Sequence, residues 1–259
     1  MKRYRAIAEY YDFENERLSM LRQDVPFFLG HLPKRKRQDV LELAVGTARA
    51  AIPIAQAGHR VVGVDYAPDM LAIATRKRDA VGLRERELRL VRGDVLKLDL
   101  GRRFDWVAIF FNTLLGFTTL GEQDRLLKTI VCHLKPRDGR LWLDIFQPDL
   151  RRMGEPLSRG IDPSAFYVPR YERTVFRTVD VRRDPAKQLM RVTFHYRWFD
   201  DRGREHRERT AFDMTYIMPR ELRLLIERHG LRIERLYGNY DGSTLSGESP
   251  RMIACCCLA

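Results

Sequence analysis

The stretch VLELAVGTAR, residues 40–49, is followed by VVGVD, residues 61–65, and the two together decide the fold. Each contains a short apolar run typical of a strand buried on both faces, and small residues follow the first run. A tight turn of small residues from a strand into a helix lets the backbone approach a nucleotide-like ligand at the carboxyl edge of a parallel sheet. Asp65 ends the second strand at the spacing where an acidic residue commonly binds ribose hydroxyls.

Strand and helix patterns alternate beyond this stretch. Thr119 and Glu122 form the signature of a capping box at the start of one helix, and Pro219 begins another. Alternating strands and helices imply βαβ units, so we predict an α/β fold with a doubly wound, mostly parallel seven-stranded sheet. The strands are predicted at residues 40–44, 60–65, 88–91, 104–110, 141–146, 231–237 and 252–258, and the first helices at 50–57, 68–81 and 119–134.

The segment from Tyr171 to Ile217 has a different period. Apolar and polar side chains alternate from Met190 to Trp198, which is typical of an antiparallel strand with one polar face. Turn signals precede and follow this repeat. We expect an inserted sheet of three antiparallel strands, which forms a lid beside the ligand edge or a contact between subunits.

The bulk composition narrows the class of protein. The net charge of +12 raises the question of nucleic acid, but arginine is scattered and interleaved with acidic residues, so a solvated surface is favoured and nucleic acid is not. No apolar segment is long enough to span a membrane and the basic start at Met1 leads into polar residues, so we expect a cytoplasmic protein without membrane contact. We interpret the cysteines as buried thiols in a reducing compartment and expect no metal site.

Two common nucleotide-binding motifs are missing from the sequence. The pattern G-x-G-x-x-G does not occur, which disfavours a nicotinamide-dependent oxidoreductase. The P-loop pattern G-x-x-x-x-G-K-[ST] does not occur either, which disfavours a P-loop nucleotidase.

The first turn resembles that of a known family. ELAVGTAR, residues 42–49, is similar to the acidic, glycine-rich loop of class I S-adenosylmethionine (SAM)-dependent methyltransferases, and AGHRVVGVD, residues 57–65, looks like their second strand. Further matching blocks follow in the family's order, so the resemblance covers roughly residues 39–146, and residues 231–253 resemble the ends of bacterial small-molecule members. Ala44 and Ala48 depart from the pattern because the family usually has glycine there; binding should survive unless either position needs a positive φ.

The resemblance implies an organisation in four segments. These segments are residues 1–38, a helical cap in which Pro26 splits a helix; residues 39–150, a Rossmann-like core; residues 151–218, a lid or dimer contact; and residues 219–259, a helix and hairpin that complete the core sheet. The core segment, residues 39–150, would bind SAM, and residues 151–218 would be the antiparallel insertion.

The resemblance also implies which residues bind the cofactor, with S-adenosyl-L-homocysteine (SAH) as its product. Glu42, Ala44 and Gly46 would contact the methionine end of SAM and Asp65 its ribose. The adenine would contact Met70, Asp94 and Val95, whereas Phe111 and Asn112 would lie beside the sulfonium. Three of these residues also have a purely structural interpretation. Met70 could belong to the hydrophobic core, Asp94 could cap a turn, and Asn112 could hydrogen-bond to its own loop.

Methyl transfer by direct in-line displacement requires alignment of the acceptor more than a nucleophilic side chain. Candidates for the acceptor pocket follow from the loops at the carboxyl ends of the strands and from the N-terminal helix, whereas His133 and His195 are interpreted as structural. The candidates are Tyr11, Asn112, Gln147, Tyr240 and Asp241.

A small-molecule acceptor is favoured, with two alternatives open. The positive charge favours an RNA or protein methyltransferase, whereas the missing N/D-P-P-Y type motif and the missing separate binding domain disfavour it. A non-catalytic SAM-binding protein is conceivable because of Ala44 and Ala48. The identity of the acceptor atom and the oligomeric state are not predicted.

Overall fold

A computed structural model describes residues 10–15 and 18–259, which form two compact units. The larger unit, here the core unit, comprises Ser19–Gln147 and Ile217–Ala259. The smaller, here the insertion unit, comprises the described residues up to Leu18 together with Pro148–Tyr216. The sequence placed segment boundaries after residues 38, 150 and 218, whereas the two units divide after residues 18, 147 and 216.

The core unit contains the predicted seven-stranded sheet, which confirms the fold class. Its strands are β1 (Asp39–Leu43), β2 (Arg60–Asp65), β3 (Leu88–Arg92), β4 (Trp106–Ile109), β5 (Arg140–Phe146), β10 (Leu231–Tyr237) and β11 (Arg251–Leu258), where β6 to β9 belong to the insertion unit. The strand order is β10-β11-β5-β4-β1-β2-β3, and all neighbours are parallel except for the two pairs that β11 makes.

Helices connect these strands, as the alternation in the sequence predicts. The capping box is confirmed: the Glu122 backbone N–H donates to the Thr119 hydroxyl at 3.2 Å, and the Thr119 N–H donates to the Glu122 carboxylate at 3.1 Å. The helices are α1 (Asp24–His31), α2 (Ala51–Gln56), α3 (Pro68–Ala80), α4 (Leu120–His133), α5 (Leu150–Met153) and α6 (Pro219–Arg228), with short 3-10 helices at Ser19–Arg22, Thr113–Gly116 and Pro169–Tyr171.

The predicted helical stretch is divided in two, as expected: the 3-10 helix Ser19–Arg22 ends before α1 begins at Asp24, and Pro26 has no N–H to donate to the Arg22 carbonyl. Pro26 lies within the first turn of α1. Backbone N–H groups in the first turn have no partner within the helix, so a proline there removes no helical hydrogen bond. The part of the expected cap that comprises residues 1–9 and 16–17 lies outside the described residues.

An aromatic cluster anchors α1 to the sheet. The Phe28 ring lies 5.3 to 5.5 Å, between centroids, from the rings of Trp106, Phe110 and Trp142, in edge-to-face contacts. Phe28 is fully buried. Edge-to-face pairs of this kind add stability beyond the burial of their area, so α1 is held at a fixed position on β4 and β5.

The insertion unit has one strand more than predicted. Its antiparallel sheet has the order β6-β7-β8-β9, where β6 is Leu157–Val168, β7 Arg173–Asp184, β8 Leu189–Phe199 and β9 Glu205–Thr215. The register of β6 against β7 shifts twice, near Gly160 and Pro163. These bulges break the alternation of polar and apolar residues, so β6 has no regular two-residue period.

Residues 10–15 are helical and pack on the sheet of the insertion unit. The Tyr10 ring lies 4.9 Å from the Tyr196 ring and 5.8 Å from the Phe166 ring. The Tyr10 hydroxyl accepts a hydrogen bond of 2.7 Å from Arg173. Tyr10 therefore fixes this short helix to three different strands.

Two expectations from composition concern cysteines and membranes. Cys255, Cys256 and Cys257 are buried free thiols, but Cys132 is exposed because it lies on the outer side of α4, which corrects the prediction for that residue.

In the part of the chain that the structure describes, no helix is both long and apolar enough to cross a bilayer.

Candidate active site

The candidate site lies at the carboxyl ends of β1, β2 and β4, the middle strands of the core sheet. β1 pairs with β2 on one side and β4 on the other, so the chain leaves the sheet in opposite directions at this position. Such a switch point leaves a crevice above the strand ends, where ligands bind in open α/β sheets.

The turn after β1 has an alternating backbone. Ala44, Gly46 and Ala48 all have positive φ, at 55°, 54° and 61°. Only small side chains are accommodated there without a larger penalty. Both alanines therefore occupy positions that need a positive φ, where the family usually has glycine. Both adopt that conformation at a backbone penalty, so the turn keeps its shape and the expected binding stays a prediction.

Glu42 is buried on β1 between two small neighbours. In the sheet register it lies beside Gly63 of β2 and Ala108 of β4, which leaves space for its side chain. Its Oε2 atom is buried and has no hydrogen-bond partner. Burial raises the pKa of the Glu42 carboxyl to about 8. A buried acceptor without a partner fits a ligand that brings a donor, such as the ammonium group at the methionine end of SAM.

Asp65 closes the turn from the end of β2. Its carboxylate accepts hydrogen bonds of 2.8 Å from the backbone N–H groups of Gly46 and Ala67. Burial raises the pKa of this carboxyl, and the backbone donors partly offset that effect. A carboxylate has about four acceptor positions, so capacity is left for ribose hydroxyls.

The expected adenine contacts differ in exposure. Met70 and Val95 are buried, whereas Asp94 is exposed and accepts a hydrogen bond of 3.0 Å from the Leu96 N–H. The Gly93 N–H donates to the Asp65 backbone carbonyl at 2.9 Å, which places the turn that carries Asp94 beside Asp65. Asp94 thus caps its own turn, and its contact with adenine stays a prediction.

Phe111 and Asn112 follow β4 with unusual backbone angles, at φ 45° and 65°. The Asn112 side-chain oxygen accepts a hydrogen bond of 2.7 Å from the Phe146 N–H at the end of β5. The Asn112 side chain therefore bonds to the neighbouring strand, whereas its backbone carbonyl accepts a hydrogen bond of 2.9 Å from the Leu115 N–H in its own loop. Its place beside the sulfonium stays a prediction.

The other candidates for the acceptor pocket differ in burial, in hydrogen bonds and in the unit to which they belong. Tyr240 is buried and donates to Asp144 at 2.8 Å, whereas Asp241 is exposed and accepts from the Ser243 N–H. Gln147 donates to the Ser246 carbonyl at 2.9 Å and thereby holds a loop, although its Oε1 atom is buried without a partner. Tyr11 belongs to the insertion unit.

Sequence reasoning missed two ion pairs of the core unit, of which the first is partly buried and the second is fully buried. Arg49, directly after the turn, donates at 3.0 and 2.5 Å to the carboxylate of Asp24 on α1. Arg251, at the start of β11, donates at 2.9 and 2.6 Å to Asp144 on β5. A signal was present in both strands, since Asp144 and Arg251 are the charged residues in otherwise apolar runs.

His133 has a structural role, as the sequence predicts. One ring nitrogen bonds to the Thr129 carbonyl and the other accepts from the Leu100 N–H. His195 pairs with Asp180 at 3.0 Å within the insertion unit. Across residues 10–15 and 18–259, no cluster of His, Cys, Asp and Glu side chains is suited to hold a metal ion.

Comparisons with known proteins agree with this geometry. The profile of a family described as a methyltransferase domain matches residues 40–137, which include the turn, Asp65 and the end of β4. The cypemycin N-terminal methyltransferase of a Streptomyces species is 29% identical over 246 residues, which cover 95% of this chain and 93% of that protein.

Solved structures share the fold over nearly the whole chain. The CcbJ methyltransferase from Streptomyces caelestis is 24% identical, with a TM-score of 0.75, and the match covers 98% of this chain and 96% of that one. A sugar N-methyltransferase from a Streptoalloteichus species is 19% identical, with a TM-score of 0.73, and the match covers 95% of this chain and 91% of that one.

Proposed function

Because this chain is a SAM-dependent methyltransferase, we propose that it transfers the SAM methyl group to an amine nitrogen of a small molecule. The relative that matches almost the full length of the chain is named for methylation of an N-terminus, and one structural relative is a sugar N-methyltransferase. Both names point to nitrogen as the acceptor atom.

The observation that carries this proposal is the hydrogen bonding of the histidine side chains. A neutral amine can attack without losing a proton first, whereas a hydroxyl needs a general base, most often histidine. Each histidine of the core unit bonds to a structural partner. His31 bonds to the Phe27 carbonyl and the Tyr237 hydroxyl, His59 to the Gln38 N–H, His133 as described above, and His229 to the Leu225 carbonyl.

The chain's own residues then bind and orient the reactants. Bound SAM supplies an activated methyl group on a positively charged sulfur. Glu42 would hold the methionine end, Asp65 would hold the ribose, and Phe111 and Asn112 would border the reacting carbon. In-line transfer of this methyl group to the acceptor nitrogen would leave SAH, and the proton of the product ammonium would pass to water.

A panel of matched acceptors tests the proposal. Purified protein and SAM are incubated with an amino sugar, a peptide with a free N-terminus, and the hydroxyl analogue of the sugar, and methylated products are measured by mass spectrometry. We expect methylation of an amine and none of the hydroxyl analogue. Methylation of the hydroxyl analogue alone would contradict the proposal.

Calorimetric titration with SAH provides the control for the cofactor site. Asp65→Asn should weaken SAH binding by about tenfold or more, because hydrogen bonds to a charged group contribute about 1.5 to 3 kcal/mol. Asp69→Asn, an exposed change in the first turn of α3, should leave SAH binding unchanged.

The same panel separates the alternatives. Binding of SAH without turnover of any acceptor would favour a non-catalytic SAM-binding protein. Retention on RNA that persists at physiological salt, together with methylation of RNA, would favour an RNA methyltransferase. The role of the insertion unit as a lid or subunit contact stays a prediction.

A further inference from the structure

The loop that follows β4 is held in a conformation that side chains rarely adopt. Phe111 and Asn112 are consecutive residues with positive φ, and neither is glycine. Each residue of this kind is strained and persists only where the surrounding structure fixes it. Such strain is concentrated at functional sites, so the groups that fix this pair are of interest.

Asp144 of β5 is the main anchor of this loop. Its backbone carbonyl accepts a hydrogen bond of 2.9 Å from the Asn112 N–H, and its carboxylate lies 3.4 Å from the Phe111 nitrogen. Two residues further along β5, the Phe146 N–H donates to the Asn112 side chain. Both strained residues are therefore attached to the end of β5.

Asp144 is in turn fixed by two buried side chains from the C-terminal part of the chain. Arg251 donates two hydrogen bonds to its Oδ1, and the Tyr240 hydroxyl donates at 2.8 Å to its Oδ2. Asp144 is 0% exposed and Arg251 is 2% exposed. The Arg251 guanidinium also lies 5.9 Å from the centroid of the Phe111 ring.

We propose that Asp144 and Arg251 are positioning residues for methyl transfer, which act by fixing Phe111 and Asn112 beside the reacting carbon. This inference rests on the proposed function. Stability alone does not account for the pair, because a buried ion pair is often no more stable than apolar residues of similar volume. A rigid charged contact does fix the position of a loop, and small misplacements at a reacting centre reduce rates strongly.

The test replaces the pair without leaving a buried charge. In the double variant Asp144→Leu with Arg251→Met, both charges are removed together. We expect kcat for an amine acceptor to fall about tenfold or more, whereas SAH affinity changes by less than about threefold. In the ligand-free protein, amide hydrogen exchange at Phe111 and Asn112 should become about tenfold faster.

A matched control lies at the amino-terminal ends of the strands of the same sheet. Lys135 and Asp105 form an ion pair of 2.7 Å at the amino end of β4. The double variant Asp105→Asn with Lys135→Met should leave kcat and the exchange of Phe111 and Asn112 unchanged. Arg251→Lys keeps a positive charge beside Asp144 and should give an intermediate kcat, which provides a second variant if the first does not fold.

The outcomes are separable from those of the proposed function. Absence of wild-type turnover on every amine would contradict the proposed function, whereas the exchange measurement would still test the positioning. A kcat within about twofold of wild type in the double variant would overturn the inference, whatever the loss of stability. Unchanged exchange at Phe111 and Asn112 would overturn it as well.

Discussion

The methyl group of Ala44 destabilises the backbone conformation of its own residue. Its φ is 55°, in the left-handed region where a Cβ crowds the following carbonyl. The side chain is half-buried, so its removal would expose little new surface. The backbone penalty should therefore exceed what the methyl group contributes.

Ala44→Gly is expected to stabilise the protein by up to about 1 kcal/mol. The relief of about 1 to 2 kcal/mol in the left-handed region exceeds the entropy penalty of about 0.5 to 1 kcal/mol for glycine. Urea unfolding measures the difference. Ala72→Gly, at an exposed position within α3, is the control and should destabilise by about 1 kcal/mol. Equal destabilisation by both changes would refute the argument.

Glu42 makes stability depend on pH. Burial raises the pKa of its carboxyl from 4.5 to about 8, so the folded protein keeps a proton that the unfolded chain loses between these values. The folded state is therefore favoured most at pH below 4.5, and this contribution is lost as pH rises to 8.

We predict that Glu42→Gln removes this dependence. For the ligand-free wild type, the contribution of Glu42 to the free energy of unfolding should fall by up to about 1.4 kcal/mol per pH unit between pH 5 and 8. Urea unfolding of both proteins at pH 5, 6, 7 and 8 measures the difference. Parallel curves for wild type and variant would contradict the prediction.

The residues of the site were predictable to different degrees. Asp65 and Gly46 could be read from local spacing, because the turn and the end of β2 are short-range features. The pair of Asp144 and Arg251 could not, because the two residues are 107 positions apart and only the sheet order brings them together. The positive φ of Ala44 could not be predicted either, since alanine gives no signal for that conformation.

At the scale of elements, the start of α4 was predicted and found. Thr119 and Glu122 satisfy each other's backbone N–H groups, so this helix end depends on two side chains close in sequence. Signals of this kind are local and survive in any tertiary context. By contrast, β6 was missed because its bulges disturb the period on which strand prediction depends.

Thr119→Ala should lower the free energy of unfolding by about 1 kcal/mol, because the Glu122 N–H loses its acceptor. Thermal unfolding measures the loss. Thr119→Ser keeps the hydroxyl and should stay close to wild type. A similar loss in both variants would show that the methyl group, and not the cap, is responsible.

At the scale of the whole molecule, exposed aromatic side chains of the insertion unit indicate a surface for contact between subunits. Phe176 is 38% exposed and Phe199 is 46% exposed, and the Arg197 guanidinium lies within 5.7 Å of both ring centroids. Exposed aromatic groups near an arginine are common at protein interfaces. We propose this face as the contact of a homodimer.

Sedimentation velocity tests the homodimer. We expect wild-type protein to dimerise as its concentration rises and Phe199→Glu to shift the distribution to monomer. Leu224→Glu, an exposed position on α6 of the core unit, is the control and should not change the distribution. A wild-type protein that is monomeric at every concentration would rule out the dimer.

The antiparallel position of β11 between β5 and β10 has a consequence for biosynthesis. When β5 leaves the ribosome, the strand that will cover its edge has not been translated, and at roughly 5 to 20 residues per second the wait is on the order of ten seconds. During that time Asp144 lacks its cation and an apolar strand edge is open to other nascent chains. Chaperone demand should therefore peak late in translation and end when Arg251 docks.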